Sequence, residues 1–108
     1  MKTNKEMFEE LTFIPHRAAH NGVAARKNFD NGYTISVVSG DGLYGDIDES
    51  DFHNSTFEVA AFDGKGEFVK LTLHDDVIGH QTLEEVSQIM VRLQDDPESL
   101  RVDGQRCL

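Results

Sequence analysis

The sequence predicts an α+β domain: a mainly antiparallel sheet of about four strands with one C-terminal helix packed across one face. Three observations predict it. Asn31-Gly32 sits between two apolar-rich runs, the strongest short-range signal for a hairpin. A second pair of alternating runs, 56–62 and 67–73, flanks the glycine-rich turn Asp63-Gly-Lys-Gly66. Residues 82–94 then carry a capped stripe of apolar residues at helical spacing.

The first hairpin can be read to its register. Gly22 to Phe29 is the first strand and Tyr33 to Val38 the second. A two-residue loop at Asn31-Gly32 would set Phe29 on the face away from Tyr33, Ile35 and Val37. A three-residue loop, Asp30-Asn31-Gly32, with Gly32 in the left-handed region, pairs Phe29 with Tyr33. Val23, Ala25, Phe29, Tyr33, Ile35 and Val37 then share one face. A one-residue slip turns every side chain over, so burial selects the three-residue loop. In the second pair, Phe57, Val59 and Ala61 alternate with Glu58, Ala60 and Phe62. Val69, Leu71 and Leu73 alternate with Phe68, Lys70 and Thr72 on the returning strand.

For the helix, Thr82 is the N-cap and Glu85 completes a capping box. Leu83, Val86, Ile89, Met90 and Leu93 form one stripe, and Asp95-Asp96-Pro97 ends it. Such a stripe must be buried, and the sheet is the large surface available for it.

A chain of 108 residues is one domain. At this size it buries roughly 65% of its unfolded surface, enough for a core without disulfide or metal staples. The chain divides into an N-terminal segment, 1–21, a core, 22–94, and a polar tail, 95–108, in which Leu100 and Val102 are the docking candidates. Residues 1–21 hold two local readings. Asn4 or Thr3 caps a short helix through Leu11, with Met7, Phe8 and Leu11 on one face, or Leu11–Ile14 is a short strand ended by Pro15.

The net charge is −10, unevenly placed. Residues 1–40 carry five basic and four acidic side chains, and residues 41–108 five basic and sixteen acidic. That balance speaks against binding nucleic acid through its phosphates. It leaves solubility, or an acidic surface for a basic partner. No run approaches the ~20 apolar residues of a membrane helix, and no apolar core follows the N-terminal lysines as in a signal peptide. The single Cys107 suits a reducing cytosol. A cytoplasmic location is therefore expected.

Few motifs carry chemistry. His16 and His20 have helix-face spacing for a metal, but no third ligand is near, and a solvated loop is the better reading. Asp46-x-Asp48-x-Ser50 matches the start of a calcium loop. The match then fails at Asp51, where glycine is needed, and at Phe57, where glutamate is needed. No metal and no cofactor is expected. The long acidic connection instead offers a partner-binding surface: Leu43, Tyr44 and Ile47 as apolar anchors among Asp46, Asp48, Glu49 and Asp51. His74 beside Asp75 and Asp76, with His80 further on, is the one cluster with acid–base character, and no nucleophile motif accompanies it.

Phe29-x-Asn31-Gly32-Tyr33-x-x-Ser36-Val37-Val38, Tyr44-Gly45, Glu58-Val59-Ala60, Asp75-Asp76-Val77-x-Gly79 and Glu84-Glu85-Val86 follow one another in the chain. In that order these pieces resemble small accessory proteins of tailed bacteriophages. The likeness spans about residues 22–93. The chain departs from it in a longer, more acidic loop after Tyr44 and an extended polar tail. That group has no established activity, so the resemblance implies an origin, with the host cell cytoplasm as the location, and carries over no catalytic residue.

The function expected is non-enzymatic. It is binding to a host or phage protein through the acidic loop, with inhibition of a defence or nucleic-acid enzyme by acidic mimicry as a special case. The alternatives are a small enzyme or ligand sensor using His74, Asp75, Asp76 or His80, and a minor virion component.

Overall fold

The computed structural model describes residues 2–17, 21–48, 51–72 and 76–100. The elements are α1 (Asn4–Phe8), β1 (Ile14–Pro15), β2 (Val23–Asn28), β3 (Thr34–Ser39), a 3-10 turn (Phe52–Asn54), β4 (Phe57–Phe62), β5 (Phe68–Val69), β6 (Val77–Gln81), α2 (Leu83–Asp95) and a closing 3-10 turn (Pro97–Leu100). All strand pairings are antiparallel.

The hairpin takes the three-residue loop. Asn28 pairs with Thr34, the Phe29 amide donates to the Tyr33 carbonyl at 2.7 Å, and Gly32 has φ +91°. Ala25, Phe29, Ile35 and Val37 are buried together in the core on the face expected, and Val23 is buried too. Tyr33 is half-buried against the same core, and its hydroxyl donates to Glu98 at 3.1 Å.

Among the described residues the sheet has six strands rather than about four. One addition is β1, a two-residue edge beside Val23 and Ala24. The other comes from the returning strand, which the alternation at Val69, Leu71 and Leu73 predicts as continuous. Among its described residues only Phe68–Val69 pairs, against Ala61 and Phe62, and Leu73 lies outside the described residues. The same edge of β4 resumes at β6, against Phe57, Val59 and Ala60. That edge is thus carried by two separate strands among the described residues. The period-2 signal of β6 is hidden by a bulge, in which Gly79 and His80 together oppose Glu58. His80 has φ +53°, a conformation rare outside glycine.

Helix α2 spans the residues the capping box announced. The Thr82 hydroxyl accepts from the Glu85 amide, and the Glu85 carboxylate accepts from the Thr82 amide. Leu83, Val86, Met90 and Leu93 are buried, with Ile89 at the margin. The N-terminal helix forms, but it is shorter than the spacing suggested. Thr3 caps it, with Glu6 completing the box. Met7, Phe8 and Leu11 are buried, and α1 lies against α2. Ser87 sits at that contact, its hydroxyl 2.7 Å from the Asn4 carbonyl and 2.9 Å from that of Leu83. A small polar residue lets the helices approach while keeping its hydroxyl satisfied. Beyond α2, Leu100 docks into the core; Val102 lies outside the described residues.

The core lies between the helices and one sheet face. Its aromatic centre is Phe57, whose ring lies 5.3 Å from Phe8, 5.7 Å from Phe13 and 5.9 Å from Phe52. The other face stays open to solvent and carries Phe62 and Phe68, with ring centroids 4.7 Å apart and the Arg26 guanidinium 4.8 Å above Phe62.

Candidate functional site

The acidic connection between β3 and β4 is anchored residue by residue. Its entry is tight: Gly40 and Gly42 have φ +143° and +84°, and the Leu43 amide donates to the Gly40 carbonyl at 3.1 Å. Gly45 is buried where a side chain has no room. A Cβ there would lie 2.6 Å from the Thr56 carbonyl oxygen and 2.9 Å from the Phe57 Cα. Asp46 then runs beside Thr56. Its amide donates to the Thr56 hydroxyl at 3.0 Å, and its carbonyl accepts from the Thr56 amide at 2.8 Å.

Tyr44 crosses onto the open side of β4 and β6. Its amide donates to the Glu58 carboxylate at 3.0 Å, and its carbonyl accepts from the His80 amide at 2.8 Å. Gly79 makes room for it, since a Cβ at that position would meet the Tyr44 Cβ at 2.6 Å. The bulge that reverses φ at His80 therefore also presents the amide that holds Tyr44. With its backbone fixed in this way, Tyr44 is still 64% exposed.

The second half of the loop is tied to the core. Ile47 and Phe52 pack against it from the rim. Asp51 caps the 3-10 turn by accepting from the His53 amide at 3.2 Å. Buried Ser55 takes the Asp48 amide at 2.7 Å. His53 reaches Glu84 of α2 at 3.4 Å, an exposed pair of little energetic weight.

Among the expected contact residues, Tyr44, Asp46 and Asp48 are exposed, Leu43 and Asp51 are half-buried, and Ile47 faces the core. Glu49 lies outside the described residues. Sequence reasoning missed the residues that seat the loop: Gly45, Ser55, Thr56, Glu58, Gly79 and the His80 amide. The signal available was the pair of glycines, Gly45 and Gly79, without turn chemistry around them.

Of the acid–base candidates, His74 and Asp75 lie outside the described residues. Asp76 is half-buried at the entry to β6, and His80 is exposed. Neither lines the groove of about 320 Å³ between α2 and the edge of β6. Its apolar floor is Leu71, Ile78, Ile89 and Leu100. On its rim the Glu85 carboxylate is engaged by the helix cap, and Arg92 holds Ser99, its Nη2 donating to the carbonyl at 2.7 Å. His16 turns with the loop, its amide on the Gly22 carbonyl at 2.8 Å, and His20 is outside the described residues. Among the described residues no three His, Cys, Asp or Glu side chains gather as a metal site, and no helix is long and apolar enough to cross a membrane.

Compared with protein-family models, with curated proteins and with solved structures, the chain matches none.

Proposed function

We propose that the protein is a non-enzymatic binding module whose contact surface is the acidic loop around Tyr44, and that its partner is a protein with a basic surface. The observation that carries this reading is the presentation of Tyr44. Its backbone is held from both sides while the residue is 64% exposed, and Asp46 and Asp48 of the same loop are exposed as well. A pre-positioned aromatic residue loses little conformational entropy on binding, and aromatic residues dominate interface energetics. Carboxylates around it steer a basic partner and set the orientation of approach. In the phage setting that the motif order implies, the partner is a host or phage protein, and acidic mimicry of nucleic acid is the special case.

The test is a tagged pull-down from host-cell lysate with three forms of the protein. The native chain retains a partner. Tyr44→Ala retains less of it, and a variant with Asp46, Asp48 and Asp51 changed to Asn and Glu49 to Gln retains none. Retention by the native chain falls as salt rises. A partner held equally by all three forms, or held without regard to salt, would show that the acidic loop is not the contact surface.

A further inference from the structure

The sequence contains Asn-Gly twice, at Asn21-Gly22 and Asn31-Gly32. Asn-Gly is the dipeptide most prone to spontaneous deamidation, because glycine puts no side chain in the way of the ring closure. The reaction needs only water. The backbone nitrogen of the glycine attacks the asparagine Cγ, and the new N–C bond replaces the Cγ–Nδ2 bond. Ammonia leaves, carrying the proton from the glycine nitrogen. Water then opens the cyclic imide at one of its two carbonyls, giving aspartate or the isomer in which the chain runs through Cγ.

The two sites are held differently. At Asn31 both polar atoms of the carboxamide and the attacking nitrogen are engaged. Nδ2 donates to the Leu93 carbonyl at 2.8 Å and lies 3.2 Å from that of Gln94. Oδ1 accepts from the Tyr33 amide at 3.0 Å. The attacking nitrogen, on Gly32, donates to the Phe29 carbonyl at 3.0 Å. Leu93 and Gln94 belong to the last turn of α2, whose carbonyls lack partners within the helix. Asn31 thus fastens the β2–β3 hairpin to the end of α2. Asn21 is exposed at φ +56°, with no hydrogen bond to its carboxamide among the described residues.

We propose that Asn31-Gly32 is a gated self-modification site: closed while the hairpin is latched to α2, open when the latch releases, and unable to relatch after reaction. The irreversibility follows from the product. A carboxylate in place of the carboxamide has no proton to give the two carbonyls, and it sets negative charge at the negative end of the helix dipole. Each opening of the latch therefore carries a chance of being recorded permanently.

Asn21 serves as an internal clock for the test. The native protein, and the same protein held unfolded in urea, are incubated at mildly alkaline pH and digested. Conversion at each asparagine is then followed by the mass of its peptide. In urea the two sites convert at similar rates. In the native protein Asn31 lags Asn21 by about tenfold or more, because reaction waits for local opening. In parallel, Asn31→Asp melts below the wild type, since it keeps an acceptor for the Tyr33 amide but loses the latch and adds the unfavourable charge. Equal native rates at the two sites, or an Asn31→Asp protein as stable as the wild type, would overturn the proposal.

Discussion

Replacing Gly45 by alanine tests whether the acidic loop is seated as described. The new Cβ would fall 2.6 Å from the Thr56 carbonyl oxygen, 2.9 Å from the Phe57 Cα and 3.0 Å from the Ser39 hydroxyl. Two of these are main-chain atoms, and the Thr56 carbonyl already accepts the Ser39 hydroxyl at 2.6 Å. The backbone must therefore give way. Overpacking of this kind costs about 1–3 kcal/mol, and separating Asp46 from Thr56 gives up two further hydrogen bonds at about 1 kcal/mol each. A total of about 3–5 kcal/mol lowers the melting temperature of a domain near this size by more than about 10 °C. Gly42 is the control. It has φ +84°, and a Cβ there would meet nothing within 4 Å, so Gly42→Ala carries only conformational strain, about 1–2 kcal/mol. The two glycines are also distinguished by asparagine, which tolerates positive φ and relieves position 42 but not position 45. Thermal unfolding followed by far-UV circular dichroism reads all four variants. If Gly45→Ala melts no lower than Gly42→Ala, the loop is not packed against Thr56 and Phe57, and the fixed presentation of Tyr44 fails with it.

The core and the first helix cap supply two more tests. Phe57→Ala removes the ring shared by Phe8, Phe13 and Phe52 and costs about 3–5 kcal/mol by urea unfolding, with an unchanged m-value; a cost below that of Gly42→Ala would contradict the central place given to this ring. The Thr3 amide, then the Thr3 hydroxyl, hold the Glu6 carboxyl below its ordinary range, with Lys2 adding to the effect and desolvation opposing it. Its folded-state pKa is depressed, so the stability it contributes is present above the unfolded-state value and is lost as pH falls through the folded one. A carbon-detected NMR titration should place the Glu6 midpoint below that of a glutamate in an unfolded peptide, and Glu6→Gln should differ from wild type least at low pH. A midpoint at or above the peptide value would rule out the capping box in solution.

Local chemistry carried much of the architecture. The Asn-Gly turn and the alternation on both sides of it were enough to choose the hairpin register, because the alternative would have turned Phe29 to solvent. Thr82 and Glu85 placed the start of α2, since a capping box satisfies two amides that the helix itself cannot. Both are decided within a few residues, and both are written in residue types with narrow conformational preferences. What only the tertiary structure decided is where distant segments meet. The break between β5 and β6, the docking of α1 through Ser87, the seat of Tyr44 over Gly79 and the Asn31 latch on α2 each join residues far apart in the chain. No local propensity encodes such contacts: a glycine that makes room for a remote backbone looks the same in sequence as one that bends its own turn.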